Sequence, residues 1–205
     1  MLIRTPLRVL LARQPRLLLG CVFFGLGIAF LVLADLGLPP WDVLHQGLDR
    51  KLPLSYGEVT IVVSVIVLLA VIALREPIGW GTVINVVVIG FVIDGVFAVM
   101  DTPDSLALRV LLMLAGPALI AVGSGLYLGT RLGPGPRDGL MTALHRRGIP
   151  IWLGRTCIEG TVFVVGIVLG GTIGVGTVWY LLSIGPMVQL ALRRLAMQPD
   201  RAGAG

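Results

Sequence analysis

Long apolar runs alternate with short polar stretches along the whole chain. The runs predict six helices, near 17–35, 57–74, 78–99, 107–130, 152–171 and 174–193. Each reaches or approaches the ~20 residues a helix needs to cross hydrocarbon. The apolar residues are continuous and do not follow an amphipathic spacing, so the solvent these helices face is lipid. Between the first and second runs, and again between the fourth and fifth, the pattern changes. Trp41, Leu44 and Leu48 follow at helical spacing, with Asp42, His45 and Asp49 on the other side. Leu140 and Leu144 stand opposite Asp138 and His145 in the same way. Each stretch predicts a short amphipathic helix of ~10 residues, too short to span.

These two polar stretches are copies of one another. Leu36-Gly37-Leu38-Pro39-Pro40-Trp41-Asp42-Val43-Leu44 recurs 96 residues on as Leu132-Gly133-Pro134-Gly135-Pro136-Arg137-Asp138-Gly139-Leu140. A second block, Ile78-Gly79-Trp80-Gly81-Thr82-Val83, recurs 95 residues on as Ile173-Gly174-Val175-Gly176-Thr177-Val178. Ile89-Gly90 matches Ile184-Gly185 at that spacing. The blocks keep their order, which marks a duplicated unit of three spans and one short helix. The units cover 17–100 and 107–193, between a basic tail at 1–16 and a short tail at 194–205.

Composition agrees with the pattern. The chain is 56% hydrophobic and 13% charged, where soluble domains carry about 25% charge. The net charge of +5 would suit nucleic acid if it lay on one face. Here the arginines lie between apolar runs, so nucleic acid is not an expected partner, and the charges report topology. With the N-terminus in the cytoplasm, thirteen basic residues face inward and only Arg50, Lys51 and Arg109 face outward. Three spans per unit then turn the second unit upside down relative to the first. Asp35 and Arg131, at equivalent positions, carry opposite charge, as opposite sides of the membrane require. Making the short helices cross as well would give four spans per unit and parallel units, and would spoil the charge bias. The basic start followed by an apolar run also resembles a signal peptide. The run from Leu17 to Ala34 is longer than such a segment and lacks a small-x-small cleavage site, so it reads as an uncleaved first span.

Within the duplicated linker, Gly37 and Gly133 suit a positive φ that ends the long helix. Pro40 and Pro136 suit the first turn of a new helix, where no amide proton is needed. Asp42 and Asp138 then meet the free amides of that turn. The element is either a capped interfacial helix or a re-entrant half-helix aimed into a cavity. The Leu-Gly-x-x-Pro-x-Asp-x-Leu element, its short helix and the later Gly-x-Gly-Thr resemble the bacterial YczE/YitT-type integral membrane proteins, the YczE branch in particular. The second copy departs from that pattern, with Arg137 where Trp41 stands in the first. The resemblance implies a multi-pass bacterial membrane protein and carries no substrate with it.

A carboxylate at the centre of a span costs roughly 2.5–3.5 kcal/mol, so polar groups there call for a partner or a role. Glu159 lies near the middle of the fifth run, with Arg155 one turn before it, and reads either as half of an ion pair or as a proton or substrate site. Asp94, toward one end of the third run, fits an interfacial place. Asn85 is equivalent to Tyr180, and Asp94 to Gln189. Cys21 and Cys157 read as small buried apolar residues. Gly125-x-x-x-Gly129 and Gly166-x-x-x-Gly170 permit close helix contact. No nucleotide loop, metal cluster or nucleophile–base pair is visible, so neither an enzyme nor a cofactor is expected.

The expected protein is therefore an all-α polytopic protein of the bacterial cytoplasmic membrane. It has six transmembrane helices in two inverted-topology repeats of three, with both termini cytoplasmic. The expected function is secondary transport or export of a small polar or anionic molecule at the repeat interface. The candidate substrate-binding residues are Asp42, Asp138, Asn85, Tyr180 and Glu159. The alternative is a non-transporting membrane scaffold or assembly partner, which would be close-packed through its centre. The bilayer is the expected partner, and a homodimer stays open.

Overall fold

The computed structural model describes residues 5–195 and 197, with residues 151, 152 and 155 described by their backbone alone. The expected Arg155–Glu159 pair therefore lies outside the described residues. Among those described, the secondary structure is helical: α1 (Leu7–Ala34), α2 (Pro40–Asp49), α3 (Tyr56–Ala73), α4 (Trp80–Phe97), α5 (Leu106–Gly129), α6 (Pro136–His145), α7 (Ile151–Val168) and α8 (Val175–Leu195). The short helices start at the duplicated prolines. Before them, Asp35 and Arg131 sit in the left-handed region at φ 47° and 56°, and Gly37 and Gly133 at φ 110° and 130°. That pair of left-handed residues reverses the chain after each long helix. Ser55 and Glu58 close a capping box on α3, with Glu58 N donating to Ser55 Oγ at 3.1 Å and Ser55 N to Glu58 Oε2 at 2.8 Å.

Five helices, α1, α3, α4, α5 and α8, are long and apolar enough to cross a membrane, and the described side chains of α7 give a shorter apolar stretch, Thr156–Val168. Large apolar side chains such as Ile66, Leu69, Phe91, Leu111, Val164 and Leu182 are exposed on these helices. A protein that faces lipid leaves such residues outside, and its backbone groups are satisfied within each helix. The chain is an all-α polytopic membrane protein.

At the centre α1 and α5 run antiparallel. Gly20 lies against Gly123 and Tyr127, and Gly27 against Gly116 and Ile120. A Cβ on Gly27 would fall 2.6 Å from Gly116 O, and one on Gly123 2.6 Å from Gly20 O, so only glycine lets the backbones meet. Gly116 and Gly123 stand 96 residues after Gly20 and Gly27. The two contacts are thus one contact made twice. Around this pair α4 packs on α1 and α8 on α5; α2 packs on α7 and α6 on α3; α2 also touches α3, and α6 touches α7. The α2–α7 seat is Val43 against Gly166, and the α6–α3 seat is Gly139 against Val71. These are equivalent positions with the large and small residues exchanged.

The two duplicated blocks are each other's partners, crosswise between the halves. Gly176 N donates to Leu36 O at 2.7 Å, and Gly81 N to Leu132 O at 2.9 Å. Two arginines close the long helices in the same crossed manner. Arg13 Nη1 donates to Thr130 O at 2.8 Å, and Arg109 Nε to Ala34 O at 2.7 Å. Each brings a cation and a donor to the carbonyl end of a helix, where both are lacking.

Arg13 also corrects a boundary. Helix α1 begins at Leu7, within the expected tail at 1–16, and Arg13 is buried. A basic residue ahead of an apolar run looks solvated until the end of α5 supplies its acceptor. Cys21 is buried as expected, whereas Cys157 is exposed, because α7 turns that position away from its neighbours. Asp94 accepts from Gly57 N at 2.8 Å and from Ser55 Oγ, so it serves the start of α3.

Candidate functional site

A cavity of about 360 Å³ lies on the seam between the halves. Six pairs of equivalent residues line it with both members: Phe24 and Ile120, Ile28 and Ser124, Trp41 and Arg137, Ser64 and Glu159, Asn85 and Tyr180, Ile89 and Ile184. The α1–α5 crossing supplies the first two pairs, the short helices the third, and the flanking helices the rest. The void lies where the two halves meet, beside the tighter glycine contacts of α1 and α5.

The cavity is not equally deep toward both ends. Leu128, Pro136, Asp138, Met141, Val188 and Leu192 extend its wall toward α6. Their equivalents toward α2, which are Val32, Pro40, Asp42, His45, Ile93 and Phe97, are not in the wall. That end is packed shut. The rings of His45 and Tyr56 meet edge to face at 6.1 Å, and those of Tyr56 and Phe97 at 5.7 Å. Tyr56 Oη lies 3.3 Å from Asp42 Oδ1, to which it donates. At the other end Asp138 is exposed and stands at the mouth, accepting from Tyr127 Oη at 2.9 Å.

Four of the five expected site residues, Asn85, Asp138, Glu159 and Tyr180, therefore share one cavity wall. Asp42 does not join them. It is buried behind Trp41, spent on Tyr56 and, at 3.4 Å, on His45 Nδ1.

Sequence reasoning passed over Arg137 as a site residue. Its guanidinium carbon lies 4.7 Å from the centroid of the Trp41 ring, a cation–π stack. Trp41 and Arg137 are equivalent residues, so one of the exchanges within the duplicated motif makes a pair across the seam. That exchange was the available signal. Arg137 Nη2 also lies 3.4 Å from His45 Nε2. The hydroxyl of Thr60 donates to Tyr56 O at 2.9 Å, so its oxygen accepts from His45 Nδ1 at 3.2 Å. The network thus assigns the proton to Nδ1 and leaves the Nε2 lone pair for Arg137. Burial pushes the His45 pKa below its usual value; the hydrogen bond His45 donates to Asp42 opposes that shift, and the Arg137 charge adds to it. A neutral imidazole can accept from the guanidinium without repelling it.

Residues 11–193 match a family described as a family of unknown function, DUF6198. An "Uncharacterized protein" of Haemophilus influenzae is 35% identical over 184 residues, which is 89% of this chain and 84% of that protein. The "Uncharacterized membrane protein YczE" of Bacillus subtilis is 26% identical over 84% of this chain and 82% of its own length. The "Uncharacterized protein YyaS" of the same organism is 32% identical over 78% of this chain and 82% of its own length. No solved structure matches the chain.

Proposed function

This chain belongs to the DUF6198 family and is of the YczE type, and from that premise we propose that it is a secondary transporter of a small polar or anionic solute. In this reading six spans form two inverted repeats in the bacterial cytoplasmic membrane, with both termini inside. The observation that carries the reading is a cavity of mixed polar and apolar lining on the seam between duplicated halves, sealed at the α2 end and reached from the α6 end. In an inverted pair, each half can take the conformation of the other, which exchanges the sealed end for the open one. A scaffold has no use for such a void.

Several features support inversion. The α1 and α5 helices are antiparallel and touch through glycine contacts related by the sequence duplication, which calls for a two-fold across the helix axes. Helices α3 and α7 are both 18 residues long and begin 95 residues apart, which supports α7 as the sixth span. The thirteen-to-three distribution of basic residues puts α6 on the cytoplasmic side, so the described state faces inward.

The test uses equivalent single cysteines in a protein whose own Cys21 and Cys157 are replaced. Val188→Cys, in the cavity wall, should react with a membrane-impermeant thiol reagent from the cytoplasmic side. Ile93→Cys, its equivalent in the sealed end, should react from outside, slowly, and faster in variants that close the α6 end. If Ile93→Cys stays inert from outside in a folded, membrane-inserted protein under every condition, the transporter reading falls and the scaffold reading gains.

A further inference from the structure

Resting on that reading, we infer that the solute is a small apolar molecule carrying a single carboxylate, and that Arg137 receives the carboxylate. The guanidinium is held in place from two sides. Trp41 covers its face, and His45 Nε2, fixed by Thr60 and Asp42 behind it, takes one of its N–H groups. Among the described residues no other acceptor lies within hydrogen-bond distance of Arg137, and no carboxylate lies within ion-pair distance. Toward the described residues, four of the five guanidinium donors are therefore unused in the cavity wall. A half-buried, preoriented fork of this kind matches a planar carboxylate, which it can bind through two parallel hydrogen bonds.

The rest of the wall narrows the class. Asp138 and Glu159 share the cavity with Arg137, so the wall lacks the excess of positive charge that a multiply charged anion such as phosphate needs, and only the Arg137 fork itself favours an anionic group. Phe24, Ile28, Ile89, Ile120 and Ile184 make much of the remaining surface, which suits an apolar body. The volume, about 360 Å³, is near the lower end of the range for small-molecule sites. A simple carboxylic acid and an apolar amino acid both present this chemistry. They differ in whether an ammonium group also meets Asp138 or Glu159.

The experiment is calorimetric titration of the purified full chain, in detergent at low salt, with four probes. These are 4-methylpentanoate, leucine, 3-methylbutylamine and inorganic phosphate. At least one of the first two should bind, and the last two should not. Preference for leucine would identify the zwitterion, and preference for 4-methylpentanoate the simple acid. Arg137→Gln should weaken the binding roughly 10–100-fold, the loss expected for charge-assisted hydrogen bonds. Arg137→Lys should fall between, since it keeps the charge and loses the planar fork; it also serves alone if the glutamine variant does not fold. The inference is overturned if neither carboxylate binds, if amine or phosphate binds more tightly than the carboxylates, or if both Arg137 variants bind like the parent. Failure here, with Val188→Cys and Ile93→Cys still reacting from opposite sides, removes the carboxylate and leaves the transporter. Carboxylate binding with an inert Ile93→Cys does the reverse.

Discussion

Asp42 and Asp138 descend from one position and now live in different surroundings. Asp42 is buried and leans on Tyr56 and His45; Asp138 is exposed and leans on Tyr127. The same loss should therefore cost different amounts. Tyr56→Phe removes one of the two side-chain donors of a carboxylate that water cannot reach, and losing a hydrogen bond to a buried charge costs about 1–3 kcal/mol. Tyr127→Phe leaves a carboxylate that water can solvate, and the expected loss is roughly 1 kcal/mol or less. Thermal melts of the two variants in detergent check this. Equal losses, or a larger loss for Tyr127→Phe, would show that the α2 end is not the sealed one.

At the scale of elements, small residues decide which helices meet. In lipid there is no hydrophobic gain from hiding one apolar helix against another, so close backbone approach and packing take over. The α1–α5 crossing rests on Gly20, Gly27, Gly116 and Gly123. Gly27→Leu would drive a side chain into Gly116 O and Ile120, and overpacking of this kind costs about 1–3 kcal/mol. Gly123→Leu should cost a similar amount, because it makes the equivalent clash with the Gly20 backbone. Gly95→Ala is the control, since nothing lies within 4 Å of a Cβ there, and alanine favours the helix by up to about 1 kcal/mol. Melting temperatures of the three variants should separate into two depressed values and one kept or raised. The duplicated Gly-x-Gly-Thr block has a similar origin. It must admit the Leu36 and Leu132 carbonyls, and a side chain at Gly79 or Gly174 would collide with them.

For the whole molecule the question is which way the halves face the membrane. In the inverted reading the C-terminal ends of α2 and α6 lie on opposite sides. Asp49→Cys should then be labelled only from outside and His145→Cys only from inside, each in a Cys-free background and in sealed vesicles of known orientation. Labelling of both from one face would replace the inverted pair with a parallel one and remove the basis for exchanging open and sealed ends. The basic residues make this arrangement self-consistent, because Arg146 and Arg147 follow α6 directly and hold the other half, Arg146 through Glu76 at 3.4 Å and Arg147 through Leu74 O at 2.7 Å.

The apolar runs determined the helices by themselves, since hydrophobic length and lipid thickness are matched locally. The breaks at Gly37 and Gly133 and the restarts at Pro40 and Pro136 were also legible, because φ preference belongs to the single residue. The duplication was read from identity of spacing. That Asn85, Glu159 and Tyr180 would face the interior was legible too, because a polar side chain in an apolar run already signals an interior, and all three line the cavity. The start of α1 before residue 17, the burial of Arg13 and the stacking of Arg137 on Trp41 depend on an acceptor or ring supplied by the other half, and along the chain only the Trp41/Arg137 exchange hinted at the last of them. The same holds for Asp42 and Asp138, which look interchangeable along the chain. Two nearly equivalent halves offer two nearly equivalent ends, and only the tertiary packing of His45, Tyr56 and Phe97 closes one of them while the other stays open.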